Sequence, residues 1–144
     1  MAHCPLHYRR LGLRIIVTGS RDWATPEKVW TNLDAICVAA PVDTTYTIVH
    51  GDCPTGADRF AREWCEHYAD FPPELFGVII TEERHPAEWE RYGKRAGFLR
   101  NAAMIELGAD VVLAFIRNDS KGASMTAKLA ERTGIPVLYW RETT

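Results

Sequence analysis

The sequence predicts a three-layer α/β/α domain built on a parallel sheet of about five strands, and three observations support that class. Apolar runs rich in β-branched residues recur at 13–18, 46–49, 75–81, 110–115 and 135–139. Between them lie segments whose apolar residues return at helical spacing. Each run ends in a loop of small or polar residues that opens the next helix. Such alternation is what parallel strands joined by right-handed crossovers require.

The chain has 144 residues and 47% hydrophobic content, enough for one domain with a buried core. Residues 1–12 read as a tail and 13–140 as the domain. A net charge of -2 leaves no positive excess to grip a phosphate polymer, so nucleic acid is not an expected partner. Cys4, Cys37, Cys53 and Cys65 lack CxxC spacing, which suits reduced thiols and a cytoplasmic location. No apolar run approaches the roughly 20 residues that span a bilayer. The N-terminal stretch carries Arg9 and Arg10 without a continuous apolar segment, so it reads as a tail rather than a signal. His3, Cys4 and His7 lack a fixed fourth ligand, and neither metal nor cofactor is expected.

The first strand, 13–18, stops at Gly19 and leads into Ser20, Arg21 and Asp22. Thr25 is a good N-cap before Pro26 and Glu27, predicting a helix over 26–39 that buries Val29, Trp30, Leu33, Ile36, Cys37 and Ala40. After a connector at 41–45, the second strand (Thr47, Ile48, Val49) halts at Gly51. A helix follows over 55–68 with Phe60, Ala61, Trp64, Cys65 and Tyr68 facing inward. Phe71-Pro72-Pro73 ends it. The third strand is expected at 75–81, with Glu82, Glu83, Arg84 and His85 in the loop beyond. A loop or short helix surrounds Trp89, and a longer helix covers 94–107, ended by Gly108. The fourth strand, 110–115, is apolar throughout and suits burial on both faces. A small-residue loop then opens a helix over 122–133, and Gly134 precedes a last strand at 135–139.

In an open parallel sheet the loops at the carboxyl ends of the strands share one edge, and ligands bind where the strand order reverses. Gly19 to Asp22, Gly51 to Asp58 and Asn118 to Ser124 all fall at such ends. Helix N-termini there present unpaired N–H groups and the positive end of the macrodipole, which suits anions. Gly51 and Gly56 permit positive φ and close approach of a ligand, or else simply make a tight turn. Arg21 adds a planar fork for phosphate and Lys121 a point charge. The candidate binding set is Gly19, Ser20, Arg21 and Asp22, then Gly51, Asp52, Gly56, Ala57 and Asp58, then Arg100 and Asn101, and finally Lys121, Gly122, Ala123 and Ser124. The spacing matches neither GxGxxG nor GxxxxGK[ST], which disfavours an ordinary NAD dehydrogenase or ATPase.

The residues Val17-Thr-Gly-Ser-Arg-Asp22, Val49-His-Gly-Asp52 with Gly56-Ala-Asp58, Trp89 with Gly93-Lys94 and Ala96-Gly97, Arg100-Asn101 with Met104, and Ala114-Phe115 leading to Ser120-Lys-Gly122 form an ordered set. That set resembles the YspA-type, YpsA-related branch of the SLOG superfamily over about residues 13 to 138. The resemblance implies a Rossmann-like domain with a pocket for a nucleotide or nucleotide-derived molecule such as an ADP-ribose derivative. Under it, Gly122 to Ser124 replace the phosphate loop GGxGT of the related LOG phosphoribohydrolases, and Arg100-Asn101 match a pocket-lining RN pair. The LOG glutamate three residues beyond that Thr has no counterpart among Met125, Thr126 and Ala127. Asp58, Glu82 or Glu83 would have to supply a carboxylate if an N-glycosidic bond is cleaved. The reading is therefore a sensing or sequestering protein, with a hydrolase using Asp58 and Glu82 as the alternative. A DprA-like nucleic-acid partner stands third. Relatives in the superfamily commonly assemble, so a homo-oligomer is expected.

Overall fold

The computed structural model describes residues 12–39, 44–71 and 77–144. The expectations for the tail at 1–11 with His3, Cys4 and His7, for Ala40, for the 41–43 part of the connector, for Pro72-Pro73 and for the 75–76 start of the third strand lie outside the described residues.

Five strands, β1 (Gly12–Gly19), β2 (Thr44–His50), β3 (Val78–Arg84), β4 (Val111–Arg117) and β5 (Val137–Glu142), form one parallel sheet in the order β3-β2-β1-β4-β5. The connecting helices are α1 (Pro26–Ala39), α2 (Gly56–Ala69), the single turn α3 (Trp89–Tyr92), α4 (Ala96–Glu106) and α5 (Lys121–Arg132), with a 3-10 turn at Gly93–Arg95. The expected α/β/α class is the observed one: a Rossmann-like sheet between two helical layers.

The layers follow from side-chain alternation in the central strands. Ile15 and Val17 point with Tyr46, Ile48, Leu113 and Phe115 to the α1/α2 side, where Val29, Leu33, Ala61 and Trp64 close the larger core. Ile16, Val49 and Val112 point the other way, to Met104 and Ile105 of α4 and Ala130 of α5. Ala114 and Ile116 meet Ala123 and Ala127 of α5. Trp30, expected in the core, packs against it and donates Nε1–H to Phe60 O at 3.1 Å.

The two edge strands are displaced from their expected positions. β3 was expected at 75–81 and runs Val78–Arg84, because Glu82, Glu83 and Arg84 pair in register with Ile48, Val49 and His50. The acids placed beyond the strand are thus inside it. β5 extends three residues past Tyr139, since Trp140 to Glu142 pair with Phe115 to Arg117. At an edge, one face and the outer hydrogen-bonding side are open to water, so polarity no longer marks where pairing stops. Among the described residues no helix is long and apolar enough to cross a membrane.

Candidate functional site

The strand order reverses between β1 and β4, which leave the sheet centre in opposite directions. A cavity of about 580 Å³ opens there at the carboxyl edge. Its floor is Thr18 and Gly19 at the end of β1, and one wall is Arg117, Asn118 and Ser120 with Gly122 and Ala123 of α5. Arg21, Asp22, Cys53 and Asp58 form the opposite side, and Trp89, Lys94, Gly97, Phe98, Arg100, Asn101 and Met104 close the remainder.

Of the candidate set, Gly19, Arg21, Asp22, Asp58, Arg100, Asn101, Gly122 and Ala123 line this cavity. Ser20 is buried behind it as a junction. Its N–H donates to Phe115 O at 2.9 Å, its carbonyl accepts Trp23 N–H at 3.1 Å and Ala57 N–H at 3.4 Å, and its Oγ accepts Arg117 N–H at 2.8 Å. Gly56 sits against that same backbone with φ +71°, where a Cβ would lie 2.2 Å from Ser20 O. Ala57 is buried and spends its amide on Ser20. Gly51 faces the Arg100 guanidinium, which donates to Gly51 O and, at 3.2 Å, to His85 O. Lys121 and Ser124 line a separate groove with Lys128, Tyr139 and Arg141.

Glu82 is not on the cavity wall. Its carboxylate meets His50 Nε2 at 2.6 Å and Arg84 Nε at 3.1 Å. Since His50 Nδ1 accepts the Asp52 N–H at 3.0 Å, Nε2 carries the ring proton and donates to Glu82. This buried His50 therefore fixes Asp52, the second residue past β2, which adopts φ +56°. Glu83 is held by Arg14 through two bonds of 2.8 and 2.9 Å and by His85 at 2.6 Å. Those partners pull its carboxyl down to about 2.

Four cations (Arg21, Lys94, Arg100, Arg117) face two carboxylates (Asp22, Asp58) around the cavity. The cations differ in what they already hold. Arg117 pairs with Glu142 at 3.2 Å and Asp22 at 3.9 Å, and Arg100 is bonded to backbone carbonyls and to Asn101 Oδ1. Arg21 has no carboxylate partner among the described residues and lies over the Trp89 ring, 5.0 Å from its centroid. Lys94 likewise has none. Asp58 is raised above the ordinary carboxylate range by burial, against the opposing influence of His50, Arg100 and the amides of Cys53 and Gly51. Burial and Asp58 push the Cys53 thiol up, against the opposing influence of Arg21 and Arg100. The Gly122 and Ala123 amides donate to no acceptor among the described residues, leaving the start of α5 open to the cavity. No cluster of three His, Cys, Asp or Glu residues suited to a metal ion occurs among the described residues.

Sequence reasoning gives no binding role to Phe98 or Arg117, includes Cys53 and Asn118 only within the loops Gly51 to Asp58 and Asn118 to Ser124, and places Trp89, Lys94, Gly97 and Met104 only within the resemblance. Arg117 carried one usable signal: it is the first charged residue after the fully apolar run of β4, at the strand end where ligands bind.

The sheet order and the cavity at its switch point define a Rossmann-like domain with a cation-lined site at the carboxyl edge. The chain belongs to the YspA, cpYpsA-related SLOG family. The family model matches residues 13–74. The chain is also 38% identical over 125 residues to the Gene 61 protein of Mycobacterium phage D29, covering 87% of this chain and 94% of that protein. No solved structure matches the chain.

Proposed function

We propose that the protein binds a nucleotide or nucleotide-derived small molecule, such as an ADP-ribose derivative, at the carboxyl edge of the sheet. The observation that carries this reading is the pair of cations, Arg21 and Lys94, that face a cavity of about 580 Å³ without a carboxylate partner among the described residues. A cavity of that size is within the usual range for small-molecule sites. The open amides of Gly122 and Ala123 add donors for phosphate, and the exposed rings of Trp89 and Phe98 offer flat apolar surface for a base.

Titration calorimetry with AMP, ADP-ribose, cyclic ADP-ribose isomers and NAD, with adenosine as the uncharged control, tests the reading. At least one phosphorylated ligand should bind well above adenosine, and Arg21→Ala should weaken it about tenfold or more. Absence of both heat and thermal shift with every phosphorylated ligand removes the proposal.

A second reading, hydrolysis of an N-glycosidic bond, is favoured by Asp58: a carboxyl inside the cavity, raised by burial, is suited to proton transfer. Glu82, held by His50 and Arg84 away from the cavity, leaves that work to Asp58. Chromatography for released base over hours, with wild type against Asp58→Asn, decides it. Intact ligand throughout leaves binding alone.

A further inference from the structure

The presence of a carboxylate among the cavity's cations calls for an explanation, because an acid beside a phosphate site weakens phosphate binding. Asp58 is 8% exposed, lines the cavity and forms no ion pair among the described residues. A carboxylate offers about four acceptor positions. The Cys53 amide fills one at 3.2 Å, and the Gly51 amide also acts on the group. No other donor among the described residues reaches it, so part of its capacity is left for whatever occupies the cavity. A buried acceptor left unfilled is costly, and a ligand group that fills it is strongly favoured.

The position of Asp58 narrows what that group is. Cys53 touches both groups: its amide donates to Asp58 at 3.2 Å and its thiol is hydrogen-bonded to Arg21. Asp58 is thus next to the cation that the phosphate is expected to reach. On a nucleotide, the donors nearest a phosphate are the sugar hydroxyls. The base lies beyond the sugar, farther from the phosphate than those hydroxyls. A vicinal diol presents two O–H donors side by side, a match for one carboxylate. Deepening the proposed nucleotide reading, on which this rests, we infer that Asp58 is a specificity-determining residue that accepts hydrogen bonds from the ribose hydroxyls, so that the site prefers ribonucleotides to their deoxy counterparts.

The alternative is that Asp58 only caps the β2–α2 turn, which predicts no dependence on the sugar. The experiment compares AMP and ADP-ribose with 2′,3′-dideoxy-AMP by calorimetry on the full chain, first with wild type and then with Asp58→Asn and Asp58→Ser, each checked for folding by circular dichroism. A preference of at least about tenfold for the ribo form in wild type, shrinking toward unity in the folded variants, is the expected result. Equal wild-type affinity for ribo and dideoxy forms overturns the inference while leaving nucleotide binding intact. A preference that survives in both variants overturns it as well. No binding of AMP, ADP-ribose or 2′,3′-dideoxy-AMP to the wild type overturns the inference, and the binding proposal falls with it when NAD and the cyclic ADP-ribose isomers also fail. If neither variant folds, the wild-type comparison still decides whether the sugar is read.

Discussion

The turn after β2 and the turn after β4 look alike in sequence: each leaves a β-strand, passes small residues and a glycine, and opens a helix. In the structure they do opposite things. Between Gly51 and Gly56 the space that glycine creates is occupied by the protein itself, Arg100 against Gly51 and the Ser20–Arg21 backbone against Gly56. At Gly122 a Cβ would meet nothing within 4 Å, and the adjoining amides are open to the cavity. A glycine after a strand therefore marks close approach of something, and only the three-dimensional arrangement says whether that is backbone, a side chain or a ligand.

The sharpest way to break the comparison is to put a methyl group in each turn. Gly56→Ala combines a left-handed φ of +71° with a Cβ 2.2 Å from Ser20 O, and should cost about 3 kcal/mol or more. Thermal unfolding would show it as a large fall in Tm. A variant melting within a degree of wild type contradicts the packed description of that turn.

Next in size is Arg100→Ala, which removes the donors to Gly51 O and His85 O and leaves both carbonyls short of partners. A loss of about 2 kcal/mol in urea unfolding is expected, with hydrogen exchange rising at 51–56 and not at 118–122. Equal loosening of both turns would mean that they are coupled in a way these contacts do not explain.

Acid should act on the end of β3 through Glu83, which bonds Arg14 and His85. Its folded pKa, about 2, lies below the ordinary 4.5, so its contribution is present above pH 4.5 and fades as pH falls toward 2. Because the group is a third exposed, that contribution is about 1 kcal/mol after solvent screening. Glu83→Gln should flatten this part of the stability profile, measured by denaturant unfolding across that range.

The smallest effect belongs to Gly122→Ala. With open space at the Cβ and a helical position to fill, it should be neutral or stabilising by about 0.5 kcal/mol, while weakening any ligand that lies against the start of α5. Thermal melts with and without AMP separate the two effects.

The central strands and the helical stripes were legible in the sequence because burial leaves a direct pattern. Ile15 to Val17 and Val112 to Ile116 are apolar at every step since helices cover both faces. The edges were less legible, because Glu82 to Arg84 join β3 by register with β2 and carry their own partners, features that local polarity does not record. At the cavity, residues of the loops and helix starts that follow the strands, such as Arg21 and Asp58, were legible from position alone. Trp89 and Phe98 were not given a role, since they reach the cavity from α3 and α4, whose docking depends on contacts distant in sequence. Gly97 is part of that fit: a Cβ there would meet the Trp89 ring at 3.4 Å.

Ser20 has one more consequence, and it concerns time rather than affinity. By binding the ends of β1, β4 and α2 to one another, it makes that side of the cavity a stiff jaw. The facing segment, Trp89 to Arg95, has no buried residue and rests on α4. A molecule held in the cavity is expected to leave on this less packed side, and backbone hydrogen exchange faster at 89–95 than at Ser20 and Ala57 is the measurement that checks it.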